Sequence, residues 1–189
     1  MKVFIDTRKD LHLLAKEGFI DLFYVDESGF SLTPNISYAW MPIGVQWVVK
    51  SIKKKVMNVL GFLNPYNNHL KVYSLPEKTY MDSTLFIKFI DDFVTDINKE
   101  TVLILDRAPW HTSELTLSKI PEWEEQGLHL IFLPAYCPHY NLIETLWRKM
   151  KYEWIKIKDY RSVSSLKKKL KQIFKEYGDS YNIEFSMNF

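Results

Sequence analysis

Cysteine is almost absent: Cys137 is the only one in 189 residues. That excludes an internal disulfide framework and a cysteine-based zinc site, and it fits a reducing compartment. No stretch approaches the roughly 18 consecutive apolar residues that a membrane span requires. The opening MKVFIDTRKD carries no apolar signal segment. Internal repeats, low-complexity runs and Gly/Ser linkers are also missing. The expectation is therefore a cytoplasmic protein with no membrane partner. What is present is globular material, 47% hydrophobic and 15% aromatic, in a length that suits one domain with a buried core.

The net charge of +2 conceals an asymmetry. From Leu146 to Glu176 eleven Lys or Arg stand against three acids, a local +8, so the remainder carries −6. Such a split points to a polyanionic partner. Val163, Leu166, Leu170, Ile173, Phe174 and Tyr177 recur at helical spacing, which leaves Lys167, Lys168, Lys169, Lys171 and Lys175 on the remaining surface. A Lys-rich face is commonly just solvated. Beside Arg148, Lys149, Lys151, Lys156 and Lys158 on the preceding helix, however, Lys167, Lys168 and Lys171 become candidate contacts to DNA phosphates. Affinity of that kind is independent of base sequence and falls with salt.

Hydrophobic patterning predicts a short helix over Leu11–Phe19 and a strand over Leu22–Val25 that gives out at Asp26. Strands are expected at Tyr38–Trp40 and Gln46–Lys50 around a Pro42/Gly44 turn, then at Val56–Leu63 and Leu70–Leu75 as a pair. Asp82 or Ser83 caps a helix whose apolar face is Leu85, Phe86, Phe89, Ile90 and Phe93. Thr101–Leu105 is a continuous apolar run ending in Asp106, as expected of a strand buried on both faces. A helix over Ser113–Glu125, a strand over Leu128–Leu133, and helices over Leu142–Lys156 and Val163–Tyr177 complete the order. The predicted class is α/β, a mixed sheet covered by helices.

Asp26 and Asp106 both stand where a strand is expected to end, the usual place for a site in an open α/β sheet. Carboxylates fixed by a rigid sheet suit hard divalent cations, which take oxygen ligands. Either Asp could equally start a turn or accept backbone N–H bonds. Glu144 admits two readings as well. Asn141-Leu142-Ile143-Glu144 is a capping-box pattern, with Asn141 as N-cap and Glu144 reaching back to it, yet the same carboxylate could serve a metal. Glu27 should point to the opposite face from Asp26 if the strand continues, as an auxiliary or surface acid. Trp40 and Gly44 read as packing residues of the early hairpin. Cys137 has no His and Asp placed to make it a nucleophile.

Three segments together carry a resemblance. Phe23-Tyr24-Val25-Asp26-Glu27-Ser28-Gly29-Phe30, the run Leu103 to His111 containing Asp106-Arg107-Ala108-Pro109-Trp110-His111, and the run Leu133 to Trp147 containing Asn141-Leu142-Ile143-Glu144 stand in order. They resemble the three blocks of the DDE transposases of the mariner-like bacterial insertion-sequence group. The interval from Asp106 to Glu144 is 38 positions, close to the spacing of that group. Arg107 stands where the family has Asn, and Cys137 and Leu142 replace a Ser and a Pro; no metal ligand is lost.

The resemblance implies a ribonuclease-H-like mixed β-sheet flanked by α-helices, with Asp26, Asp106 and Glu144 as catalytic, metal-binding carboxylates for Mg2+ or Mn2+, as two ions. It implies DNA strand cleavage at transposon ends and attack of the exposed 3′-OH on target DNA, in an active complex that is a homodimer. His111, Arg107 and Asn141 become auxiliary residues of the active site. The domain division expected is a residual linker or helix over 1–20, a catalytic domain over 21–160, and a C-terminal basic helix and tail over 161–189 packed on the same domain. Members of the family carry an N-terminal helix-turn-helix region that recognises the ends, and the residues before Phe19 are too few for one. That leaves a separately encoded region or a truncated chain as expectations, and a non-catalytic remnant that binds DNA or dimerises as the alternative function. A different nuclease of the same fold, for instance one cutting RNA–DNA hybrids, is a third.

Overall fold

The computed structural model describes residues 2–35, 43–44, 55–135 and 137–185. The expected strands at Tyr38–Trp40 and Gln46–Lys50, and the packing residue Trp40, lie outside the described residues; Gly44 sits in a turn with φ of +83°.

Five strands form one mixed sheet: β1 (Asp21–Ser31), β2 (Lys55–Asn64), β3 (His69–Ser74), β4 (Thr101–Leu105) and β5 (Leu128–Phe132). Their spatial order is β3-β2-β1-β4-β5. β2 runs antiparallel to both β1 and β3, while β4 lies parallel to both β1 and β5. The predicted hairpin of β2 and β3 is present, closed across Asn67 and Asn68, where Asn68 takes φ of +52°. Thr101–Leu105 is buried at every position, because the parallel centre of a sheet is covered on both faces.

Alternation along β1 and β4 divides the core into two layers. Phe23, Val25, Leu103 and Leu105 face α2 (Ser83–Val94) and α3 (Glu114–Glu125), packing with Phe86, Ile90, Phe93 and Trp123. Leu22, Tyr24, Val102 and Ile104 face the other way, onto α4 (Leu142–Lys149) and α5 (Val163–Lys175), where Ile143, Leu146, Trp147, Leu166 and Leu170 are buried. The helix Asp82 was expected to cap begins there: its side chain accepts from Leu85 N at 2.8 Å. α3 is capped by Ser113 in the same way, and Trp123 Nε1 ties it to α2 by donating to Asp91 at 2.8 Å.

Three boundaries differ from expectation. α1 runs Lys2–Lys16, earlier than the predicted Leu11–Phe19. Gly18, with φ of +80°, ends it: Gly18 N bonds Ala15 O at 3.1 Å and Phe19 N bonds Leu14 O at 2.9 Å, a Schellman pair. α1 packs on β1 through Ala15 and through His12, which bonds the hydroxyls of Tyr24 and Tyr66. Second, β1 does not stop at Asp26 but continues to Ser31, because its antiparallel pairing with β2 outlasts its parallel pairing with β4. Third, the predicted helix Leu142–Lys156 changes pitch at Met150 and ends in a π turn over Met150–Trp154, closed by Ile155 N to Met150 O at 3.0 Å. Asp159 then accepts from Lys156 N at 2.8 Å and starts a 3-10 turn over Ile157–Arg161 that leads into α5.

Candidate active site

β1 brings Asp26 to a particular place in the sheet. The parallel register with β4 ends at Tyr24↔Ile104, and two residues later Asp26 is paired only with Gly61 of β2. Asp106 follows directly on the last residue of β4, so the two acids lie side by side where the neighbouring strands part. Asp26 has the strand parity of the layer that faces α4, and α4 carries Glu144, whereas the Asp106 carboxylate, beyond the end of β4, bonds His111. Asp26 is thus a residue within β1 rather than at its end, and the placement survives because it is β4 that terminates.

α4 is fastened beside Asp26 by Asn141. Its Nδ2 donates to Val25 O at 3.0 Å, across 116 positions of sequence, and the residue is 2% exposed. The capping-box expectation therefore fails: Asn141 makes no side-chain cap bond, and Glu144 meets it only through backbone, Glu144 N to Asn141 O at 3.1 Å. Asn141 spends its amide on fixing the helix to the strand, and the Glu144 side chain is exposed.

Further along α4, the Trp147 ring closes on the backbone of β2 at Gly61. A Cβ built there would stand 2.5 Å and 2.7 Å from Trp147 ring carbons, so only glycine admits this approach. Asp26 and Glu144 line one open cleft of about 340 Å3 with Glu27, Ser28, Asn35, Trp147, Arg148, Lys151 and Tyr152.

The electrostatics report how close the acids are. Burial pushes Asp26 up to about 8, and the carboxylates of Glu27, Glu144 and Asp106 push the same way, against one backbone N–H bond. Glu144 is raised by burial and by Asp106. Asp106 is instead held below the usual carboxylate range, first by its hydrogen bond from His111 and further by Ala108 N. Among the described residues no three His, Cys, Asp or Glu side chains are already gathered to hold a metal ion. Repulsion reaches further than ligation does, so Asp106 can raise Asp26 and Glu144, which share the cleft, without the three closing on one point.

His111 is fully buried, with Nδ1 2.8 Å from Asp106 Oδ1 and Nε2 3.2 Å from Glu27 Oε1. Burial opposes its charge, but the bonds to Asp106 and Glu27 outweigh that and raise it to about 9. Glu27 points away from Asp26, as strand alternation requires, yet it is bound into the site through this imidazole and through Trp110 Nε1 at 2.8 Å.

The remaining expected residues divide. Arg148 and Lys151 line the cleft, and Lys151 is half-buried, with Nζ 5.4 Å from the centre of the Phe30 ring. Burial lowers the Lys151 ammonium against the pull of Asp26. Arg107 is exposed, its guanidinium 5.8 Å from the centre of the Phe132 ring. Lys156, Lys158 and Lys168 are exposed, and Lys149 pairs with Glu153 at 3.2 Å. Lys167 and Lys171 border a separate groove between α5 and the segment after β3, where Lys167 pairs with Glu77 at 2.8 Å.

The sequence profile of the family described as DDE superfamily endonuclease matches residues 21–167. The chain belongs to that family. The DDE domain so defined runs from the first residue of β1 into the second turn of α5.

Solved structures agree on the fold, which is ribonuclease-H-like. A Mos1 transposase paired-end complex with the left transposon end aligns with a TM-score of 0.60 at 13% identity, over 92% of this chain and 52% of that one. The catalytic domain of Mos1 mariner transposase aligns at 0.55 and 13% identity, over 87% and 74%. A Mos1 mariner paired-end complex with Mn aligns at 0.57 and 14%, over 90% and 53%. The uncharacterized protein y4pE/y4sA of Sinorhizobium fredii is 34% identical over 71 residues, 36% of this chain and 48% of its own. The DDE chain thus spans about half the length of that relative and of the Mos1 chains in those complexes. Among its described residues no helix is long and apolar enough to cross a membrane.

Proposed function

We propose that this DDE domain is the catalytic core of a DNA transposase, in which Asp26, Asp106 and Glu144 hold two divalent cations, Mg2+ or Mn2+, and direct strand cleavage and 3′-OH transfer. The observation that carries the reading is geometric: the half-buried Asp26 and the Glu144 of α4 line one cleft, and Asp106 follows directly on the strand beside Asp26. Burial and then the carboxylates of Glu27, Glu144 and Asp106 raise Asp26 to about 8. Such a cluster is unfavourable by itself and becomes favourable around a cation. Its donors are all carboxylate oxygens, the set that hard divalent ions take. The chemistry supplied there is activation of the attacking oxygen and neutralisation of charge on the leaving oxygen.

The protein's own part is position and charge. β1 fixes Asp26, the loop that leaves β4 carries Asp106, Asn141 holds α4 and its Glu144 against β1, and Arg148 and Lys151 set positive charge in the cleft that Asp26 and Glu144 line. Lys149, Lys156, Lys158, Lys167, Lys168 and Lys171 extend that charge along the backbone of a bound DNA. The exposed pairs Lys149–Glu153 and Lys167–Glu77 are worth little in water, and a phosphate can replace the acid. Arg107, beside Asp106, is placed to meet a phosphate rather than a metal. Recognition of transposon ends falls to a separate helix-turn-helix region, the active complex is a homodimer, and the setting is the cytoplasm of a bacterium, on its DNA. By this reading 21–160 is the catalytic unit, 1–20 a connecting helix, and 161–189 a basic extension packed on it.

The test is nicking of supercoiled DNA. With Mn2+ or Mg2+ the wild-type chain, supplied with an end-binding region, converts supercoiled plasmid to the nicked form; a chelator or Asp106→Asn stops it. DNA affinity should drop by about 10³ or more between 50 and 200 mM salt if six to ten phosphates are neutralised. Wild type and Asp106→Asn equally inert with metal present would contradict the reading.

A further inference from the structure

Asp106 stands on the loop that leaves β4, with its side chain 54% exposed. A carboxylate so placed has two free torsions, and little packing restricts them. Two hydrogen bonds restrict it: Oδ1 accepts from Ala108 N at 3.1 Å and from His111 Nδ1 at 2.8 Å, leaving Oδ2 for a cation. The imidazole is itself packed in, fully buried with its ring centre 4.5 Å from that of Phe86. Its second nitrogen ends on Glu27 Oε1 at 3.2 Å, and the same oxygen accepts from Trp110 Nε1 at 2.8 Å.

Glu27 therefore closes a chain running from β1, through a buried ring, to the acid at the end of β4. We infer that Glu27, acting through His111, is a positioning residue that sets the orientation of the Asp106 carboxylate for a divalent cation. The inference rests on the metal-binding reading above and adds to it a residue that acts on Asp106 through His111. A partner that orients a ligand in this manner normally governs metal affinity by about 10- to 100-fold. Trp110 fixes Glu27 in turn, so the indole, the acid and the imidazole form one continuous support under the site.

The measurement is Mn2+ affinity by calorimetry on the full chain, with a thermal melt of each variant. Glu27→Ala should bind Mn2+ about 10- to 100-fold more weakly than wild type. Glu27→Gln, which keeps an oxygen to accept from His111, should recover most of that loss. His111→Ala should lose as much as Glu27→Ala, and the double variant should lose no more than either, because the two act in series. If Glu27→Ala does not fold, Glu27→Thr, whose side chain suits a strand, takes its place. A folded Glu27→Ala that binds Mn2+ as wild type does would overturn the inference, and so would losses that add in the double variant. Should Asp106→Asn abolish binding while Glu27→Ala leaves it intact, this inference alone fails. Should wild type bind no Mn2+, it fails together with the proposed function.

Discussion

Asp26→Asn should eliminate metal-dependent nicking and, in the metal-free protein, raise the melting temperature. The loss of activity expected is at least about 10²- to 10³-fold, the scale of removing one preorganised electrostatic group from a transition state. The gain in stability follows from the raised carboxylate. Asp26 has a folded-state value of about 8 against an ordinary 3.8, so the folded protein holds this proton more tightly than the unfolded chain does. Its ionised form thus destabilises the fold, not at all below about pH 4 and fully above about pH 8. The advantage of Asn should grow as pH rises through that window and then level off. With about 1.4 kcal/mol per unit as the upper bound, and relaxation of the cleft reducing it, the gain is a few kcal/mol. Each kcal/mol moves the melting temperature of a chain this size by about 2–4 °C. Melts of wild type and Asp26→Asn at pH 5 and pH 9, in chelator, check it; equal melting temperatures at pH 9 would show that the acids do not strain the fold.

Gly61→Ala should damage both stability and activity. Gly61 is the strand partner of Asp26, and the ring of Trp147 occupies the space a side chain would need. The new methyl would also stand 2.9 Å from Ile143 Cδ1. That terminal methyl can turn aside, but the indole ring can only move with the helix. Overpacking of this kind costs about 1–3 kcal/mol, a fall of several degrees in melting temperature. The larger effect is on chemistry. α4 carries Glu144 three residues before Trp147, so lifting the helix off β2 displaces the third carboxylate, and an error near 1 Å can cost about 10²-fold. A variant that melts and nicks as wild type does would show that the Gly61–Trp147 contact does not set the helix.

The elements of the fold were readable where local chemistry and tertiary context agree. The run Thr101–Leu105 announced a two-sided buried strand, and Asp82 announced its helix, because each signal acts within a few residues. Where two partners compete for one strand, local pattern misleads: Asp26 looked like a strand end because the apolar run stops there, yet β2 keeps pairing with β1 for five residues more. Asn141 illustrates the same limit from the other side. Its neighbours predict a cap, and only the three-dimensional approach of β1 offers Val25 O as a competing acceptor. Glu27 was correctly expected on the face opposite Asp26, but its link to Asp106 passes through a residue 84 positions away. The sole local hint of the Gly61 contact was a glycine in the interior of an apolar strand.

The most direct measurement is the anomalous scattering of Mn2+ soaked into crystals of the protein. Two peaks about 3.5–4 Å apart, bounded by the carboxylates of Asp26, Asp106 and Glu144, are the predicted result. Manganese bound elsewhere, or a peak held by Asp106 alone with Glu144 turned out to solvent, would contradict the assignment of the three acids to one site.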